Sequence, residues 1–401
     1  LWELIRSQKV KMIERIKEKT AEDYARRGEF PRVILETVQG LRADILTIGF
    51  ARRLAGYKRS NLFLRDLERL KRLMHDPERP LQIIIAGKSH PADDEGKGIL
   101  KQIMDMARSK DFIGKILFLE NYNMGIGRLL VRGVDVWLNN PLRPLEASGT
   151  SGMKVGPNGG LNFSILDGWW DEAYRPEIGW RIKTQSEYSS REHQDEFDNI
   201  AMMDMLEREI IPLYYDQNEQ GFSPGWVAKV KASMKQVSSY FNTLRMLKEY
   251  FALSYCPTAE RQAVLCSGSF EDLKSLTLWK QKVAARFGSV QIPKVTIRGI
   301  RGDILEAGGC LQIDLSVNPG KMEPGELRAE LVLGLRQGNT FIEKPLVVPM
   351  QELGQDPQSG ELTFHVAHNV EQSGSYLYGI RVVPWHPLLS ASHETGLVCW
   401  A

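Results

Sequence analysis

The sequence predicts an α/β fold, with a doubly wound parallel sheet, followed by an all-β sandwich-like domain. Two observations predict it. Through the first half, short and nearly continuous apolar runs alternate with stretches of helical period. That is the pattern of strands buried on both faces and joined by crossover helices. From about Val290 the texture changes to short alternating segments separated by Gly, Pro and Asn, which read as antiparallel strands joined by turns.

The elements follow in order. Apolar residues at Leu1, Leu4, Ile5, Met12, Ile13 and Ile16 fall on one face of an opening helix. Ala43–Phe50, Leu81–Gly87, Lys115–Glu120 and Val134–Asn139 are predicted strands. Ser60–Met74 and Gly98–Ser109 carry the helical period between them, and a long helical region runs from Asp195 to Arg286. Alternating segments then begin at Lys294, Cys310, Leu327, Glu361 and Gly374. The predicted domains are 1–288, the sheet lobe with its helical extension, and 289–401, the β domain.

Composition narrows the function classes. The 401 residues are 42% hydrophobic and 25% charged, with a net charge of +2. This gives no electrostatic footprint for nucleic acid. Cys256, Cys266, Cys310 and Cys399 are scattered and form no CxxC pair, as expected of free thiols in a reducing, cytoplasmic setting. No apolar run approaches the ~18 residues of a membrane span, and the opening residues carry no signal-peptide pattern. The chain starts at Leu1 and enters a helix at once, so a fragment of a longer protein is the expectation.

Ligands of open parallel sheets bind beyond the carboxyl ends of the strands. The segments there are ARRLAGYKR (51–59), GKSHPADDEGK (87–97), NYNMGIGR (121–128) and NPLRPLEASGTSGMK (140–154). All four are rich in donors, glycine or charge. AGKS is not a nucleotide P-loop, because the position five before Gly87 is Gln82, inside a strand. Arg53 and Lys58 stand five residues apart across a turn into a helix. Cations at the positive end of a helix are unfavourable unless an anion compensates, so the pair reads as a dianion clamp; a solvated basic helix start is the plainer alternative. In EASGTSGMK (146–154), five of nine residues are Ser, Thr or Gly, a composition that lets a backbone approach phosphate closely. Lys154 closes that loop as a point charge, a Schiff-base amine or a solvated lysine. His90 and His386 read as structural, and no His/Cys cluster has metal-ligand spacing. The cluster Asp167, Trp169, Trp170, Asp171 and Glu172 is either a sugar grip or core packing.

At this point the loops match a family. EASGTSGMK resembles the pyridoxal-phosphate lysine segment of the glycogen and α-glucan phosphorylases, and FARRLAGYKR resembles their phosphate-recognition turn. FLENYNMGIGRLL and GVDVWLNNPLRPLEASGTSGMK look like the bacterial and archaeal branch, as does the ending GSYLYGIRVVPWHPLLSASHETGLVCWA. The resemblance implies the second, Rossmann-like lobe of a two-lobed GT-B fold, with the N-terminal lobe as a missing partner. It implies phosphorolysis of α-1,4-glucan by inorganic phosphate to glucose 1-phosphate. It implies pyridoxal 5′-phosphate held covalently by Lys154, with its phosphate in the loop of Thr150, Ser151 and Gly152, Tyr122 packed nearby and Arg52 beside that phosphate. Arg53, Lys58 and Tyr57 would face the substrate phosphate. Glu146, Ala147, Ser148 and Gly149 would meet the glucosyl unit. An exposed cleft face makes homo-oligomerisation an expectation. Two other readings stand beside it: a nucleotide-sugar transferase of glycogen-synthase type, and a non-catalytic polysaccharide-binding fragment.

Overall fold

The computed structural model describes residues 1–401 apart from 185–187, 303, 307, 338–339 and 342–343. By packing, the chain forms two compact units, Leu1–Leu247 and Lys248–Ala401. The first is built on six strands: β1 (Leu46–Ala51), β2 (Leu81–Ala86), β3 (Ile116–Leu119), β4 (Val136–Asn139), β5 (Leu161–Ile165) and β6 (Gly179–Ile182). They are all parallel, in the order β3-β2-β1-β4-β5-β6. The order reverses between β1 and β4, and a crevice opens at such a switch point.

Burial on both faces explains the continuous apolar runs. Ile48, Phe50, Ile83 and Ile85 point into one core. Ile84, Ala86, Leu117, Leu119 and Trp137 point into another, on the opposite face. Helix α1 (Trp2–Arg26) supplies Met12, Ile13 and Ile16 to this second core. Helix α2 spans Pro31–Gly40. The segment 60–74, read as one helix, is instead a 3-10 turn (Leu62–Arg65) and α3 (Leu67–Met74). Asp66 divides them because its carboxylate accepts the Arg69 N–H and so caps α3. Asp93 and Asn123 cap α4 (Asp94–Ala107) and α5 (Met124–Gly133) in the same way. Short helices α6 (Ser151–Val155) and α7 (Trp169–Ala173) follow β4 and β5. Helix α8 (Arg191–Met205), capped by Ser190, runs through a π turn into α9 (Ile211–Tyr215), and α10 covers Pro224–Tyr240. Among the described residues no helix is long and apolar enough to cross a membrane.

The second unit is antiparallel throughout. One sheet has the order β12 (Gln351–Gln355), β13 (Leu362–Asn369), β8 (Cys310–Asn318), β7 (Gln291–Arg298). The other has β10 (Thr340–Phe341), β9 (Leu327–Gln337), β14 (Tyr376–Pro384) and β15 (Cys399–Trp400), with β11 (Leu346–Pro349) also on β9. Alternate residues of β8, Leu311, Ile313, Leu315 and Val317, enter a core shared by both sheets. The helix Glu271–Arg286 contributes Leu276, Trp279 and Val283 to that same core. Its apolar face therefore belongs to the β-rich unit, upstream of the boundary read from the sequence at 288/289.

Candidate active site

The segments 52–59 and 140–154 leave the adjacent strands β1 and β4 at their carboxyl ends, on either side of the switch point. Two further segments begin at the carboxyl ends of β2 and β3, at Gly87 and at Glu120–Tyr122. The sequence reading of one loop-bearing sheet edge thus corresponds to the observed topology.

At the centre lies a buried ionic cluster. Arg52 and Lys58 both donate to Oε2 of Glu146. All three side chains are under one-tenth exposed. Burial pushes the Glu146 carboxyl up, but the two cations outweigh it and hold it below its ordinary value. Burial also lowers the Arg52 pKa, against the pull of Glu146. The Lys58 ammonium lies 4.5 Å from the centre of the Tyr57 ring. Burial raises the Tyr57 phenol, but hydrogen bonds with Lys58 and Arg53 bring it below its ordinary value. The cations that share a carboxylate are therefore Arg52 and Lys58, while Arg53 is exposed beside Tyr57. Lys58 ends a three-residue 3-10 segment, Gly56–Lys58. It is not the start of a regular helix, so helix-dipole repulsion is no part of the case for an anion.

Neighbouring groups hold this cluster in place. Asp167, just beyond β5, accepts the Glu146 N–H at 2.9 Å and the Gly168 N–H at 3.0 Å. Burial raises its pKa despite those bonds. Arg59, buried and at φ +50°, donates to the carbonyls of Asn140 (3.0 Å) and Pro141 (2.9 Å). It also pairs with Asp195 and Asp198 of α8, each at 2.8 Å. Asn140 returns a bond to the Arg59 carbonyl at 3.0 Å. One guanidinium thus ties the turn after β1 to the segment after β4 and to α8. Sequence reasoning missed Arg59 and this role of Asp167. Arg59 was visible only as one more base in a basic run, and its partners lie 81 or more residues away.

The loop 146–154 presents its other groups differently. Ala147, Thr150 and Lys154 are exposed, and Ser148, Gly149 and Ser151 are partly so. Thr150 and Ser151 begin α6, and Lys154 lies in its last turn. The Gly152 carbonyl accepts from Asn162 at 3.2 Å. A Cβ on Gly152 would stand 2.5 Å from the Asn162 Oδ1, so the loop packs here as bare backbone. The Ser148 carbonyl accepts the Trp169 N–H at 2.9 Å. Gly168, at φ +58°, passes so close that a Cβ would be 2.4 Å from that oxygen. Tyr122 is half-buried against the core containing Leu119 and Ile126. Trp169 and Trp170 are 3% and 0% exposed, which decides the aromatic-acidic cluster as packing. His90 closes a turn by accepting the Ala92 N–H at 3.1 Å, and His386 packs against Trp279 with the rings tilted 45°.

Comparison with known proteins agrees with this arrangement. The carbohydrate phosphorylase profile matches residues 11–175, and that of the glycogen phosphorylase C-terminal domain matches 288–401. The chain is 36% identical to a maltodextrin phosphorylase of Thermococcus litoralis, over 100% of its own length and 46% of that protein's. A glycogen phosphorylase of Mycobacterium bovis gives the same three figures. The chain belongs to the carbohydrate phosphorylase family. A glycogen phosphorylase of Aquifex aeolicus is 45% identical over 64% of the chain and 36% of that relative. The chain spans about half the length of the first two phosphorylases.

At the switch point, three buried polar atoms, Arg52 Nη1, Asn139 Oδ1 and Asn140 Oδ1, have no hydrogen-bond partner among the described residues. An unpaired buried guanidinium nitrogen beside a close-packed Gly/Ser/Thr loop suits an anionic group. The residues present therefore fit a cofactor that carries a phosphate.

Proposed function

We propose that this chain is the cofactor- and phosphate-binding lobe of an α-1,4-glucan phosphorylase, working in the cytoplasm. The observation that carries the reading is the Arg52–Lys58–Glu146 cluster at the switch point, reached by the same loop that ends in Lys154. Lys154 would hold pyridoxal 5′-phosphate through its amine, and the amides of Ser151 and Gly152 with Thr150 would receive the phosphate end. When bound, that cofactor supplies a phosphate able to exchange a proton with the substrate phosphate. Two phosphates in contact repel unless cations surround them. Arg52 serves the cofactor side on this reading, and Lys58 and Arg53 the substrate side, with Tyr57 steadying both of the latter. Glu146 accepts hydrogen bonds from the hydroxyls of the glucosyl unit, at a position that Asp167 fixes through the backbone. Ala147, Ser148 and Gly149 form the rest of that sugar contact. As the glycosidic bond breaks, positive charge grows on the sugar ring, and the phosphate that these cations hold in place stabilises it. The glucan, inorganic phosphate and glucose 1-phosphate are the small-molecule partners, and the N-terminal lobe is the protein partner.

Borohydride reduction after incubation with pyridoxal phosphate tests the reading. Mass spectrometry should find the pyridoxyl adduct on Lys154. Lys154→Arg keeps the charge, cannot form the bond and should lose the adduct. An adduct confined to other lysines would refute the assignment. A nucleotide-sugar transferase of this fold would need no covalently held cofactor, so the same experiment separates the two.

A further inference from the structure

The second unit carries a cavity of about 580 Å³ between its two sheets, at the end where β7 and β13 finish and β14 begins. Leu311 of β8 and Leu333 of β9 form its apolar floor. Tyr376 and Tyr378 are two apart on β14 and so face the same side. Tyr376 is anchored, its hydroxyl donating to the Gln372 carbonyl at 2.8 Å. Tyr378 is 49% exposed at the mouth. Arg336 and Glu306, both exposed, stand on the rim.

We propose that this cavity binds a segment of α-glucan chain, as a site separate from the one at the switch point. The inference rests on reading the chain as part of an α-glucan phosphorylase. A half-exposed tyrosine presents a flat apolar face to the C–H side of a pyranose. A guanidinium and a carboxylate on the same rim offer the donor and acceptor that sugar hydroxyls require. A concave apolar site with a few convergent polar groups is the form that small-ligand sites take. The ligand class follows from the mixture: a purely apolar partner would gain nothing from Arg336 and Glu306, and an anion would meet the Glu306 carboxylate. A second grip on the same polymer raises the effective concentration of chain ends.

The test is calorimetric titration of maltoheptaose into the full 401-residue chain. Tyr378→Ala and Arg336→Ala should each weaken binding about tenfold. Tyr378→Phe keeps the ring and should change it by less than about twofold. Arg32→Ala, on the exposed face of α2, should leave this affinity in place. Binding that survives both Tyr378→Ala and Arg336→Ala would overturn the proposal. If circular dichroism finds Tyr378→Ala unfolded, Arg336→Ala and Glu306→Ala decide. The Lys154 adduct reports the proposed function independently. An adduct without maltoheptaose binding removes this site and leaves that reading, whereas Tyr378-dependent binding without the adduct does the reverse.

Discussion

Glu146 has two duties that compete. Its carboxylate is the counter-ion of Arg52 and Lys58, and on the proposed reading those cations must also meet phosphate. Glu146→Gln would leave two buried cations sharing a neutral amide, a costly arrangement. An added anion would relieve it. The variant should therefore melt lower than wild type in phosphate-free buffer and gain more from inorganic phosphate, because a ligand stabilises in proportion to its affinity for the folded state. Differential scanning fluorimetry across a phosphate series reads this directly; equal phosphate shifts in both proteins would refute it. Much at this scale was legible from residue type. The Gly/Ser/Thr loop and its closing lysine mark a candidate anion site without any structure. Which cations pair was not legible, since Glu146 is 94 residues from Arg52 and 88 from Lys58. Nothing local distinguishes buried Arg52 from exposed Arg53.

At the scale of elements, the strands of the parallel sheet were readable because both faces are buried and each run is continuously apolar. β5 and β6 escaped notice: Asn162 and Ser164 interrupt one, and exposed Arg181 the other. β12 was invisible because all five of its residues are exposed and polar or small, apart from Leu353. The β-rich unit is also held by charge. Glu394 takes Arg261 and Lys280, from two successive helices, and the Ser390 hydroxyl and N–H. Burial opposes the charged form, but these donors prevail and hold the carboxyl well below its ordinary 4.5. A depressed carboxyl pKa contributes stability that is present above the unfolded value and is lost as pH falls through the folded one. Glu394→Gln should therefore destabilise the chain at pH 7 and flatten the loss of stability below about pH 4.5. Urea titrations at pH 7 and at pH 3 check it. A variant whose deficit is the same at both would show that this carboxylate does not contribute through its charge.

At the scale of the whole chain, the described residues present one loop-bearing edge of one parallel sheet. Rate enhancement in group transfer depends on positioning both reactants and excluding water. The chain alone, supplied with maltodextrin, phosphate and pyridoxal phosphate, should release no glucose 1-phosphate. The N-terminal half of one of the similar phosphorylases, added in trans, should restore some. A coupled dehydrogenase assay measures both, and turnover by the chain alone would contradict the expectation. The strand order has one more effect, on the order of events in folding. β1 and β4 are neighbours in space, yet β2 and β3 lie between them in sequence. Lys58 can meet Glu146 only after an 88-residue excursion has closed. Closing so long a loop costs entropy before the contact repays it. The proposed anion site is thus completed near the end of folding, after the early compact states. Inorganic phosphate should slow unfolding in stopped-flow experiments while leaving the refolding rate unchanged. It acts as a latch on a finished structure and gives the chain no help in finding it.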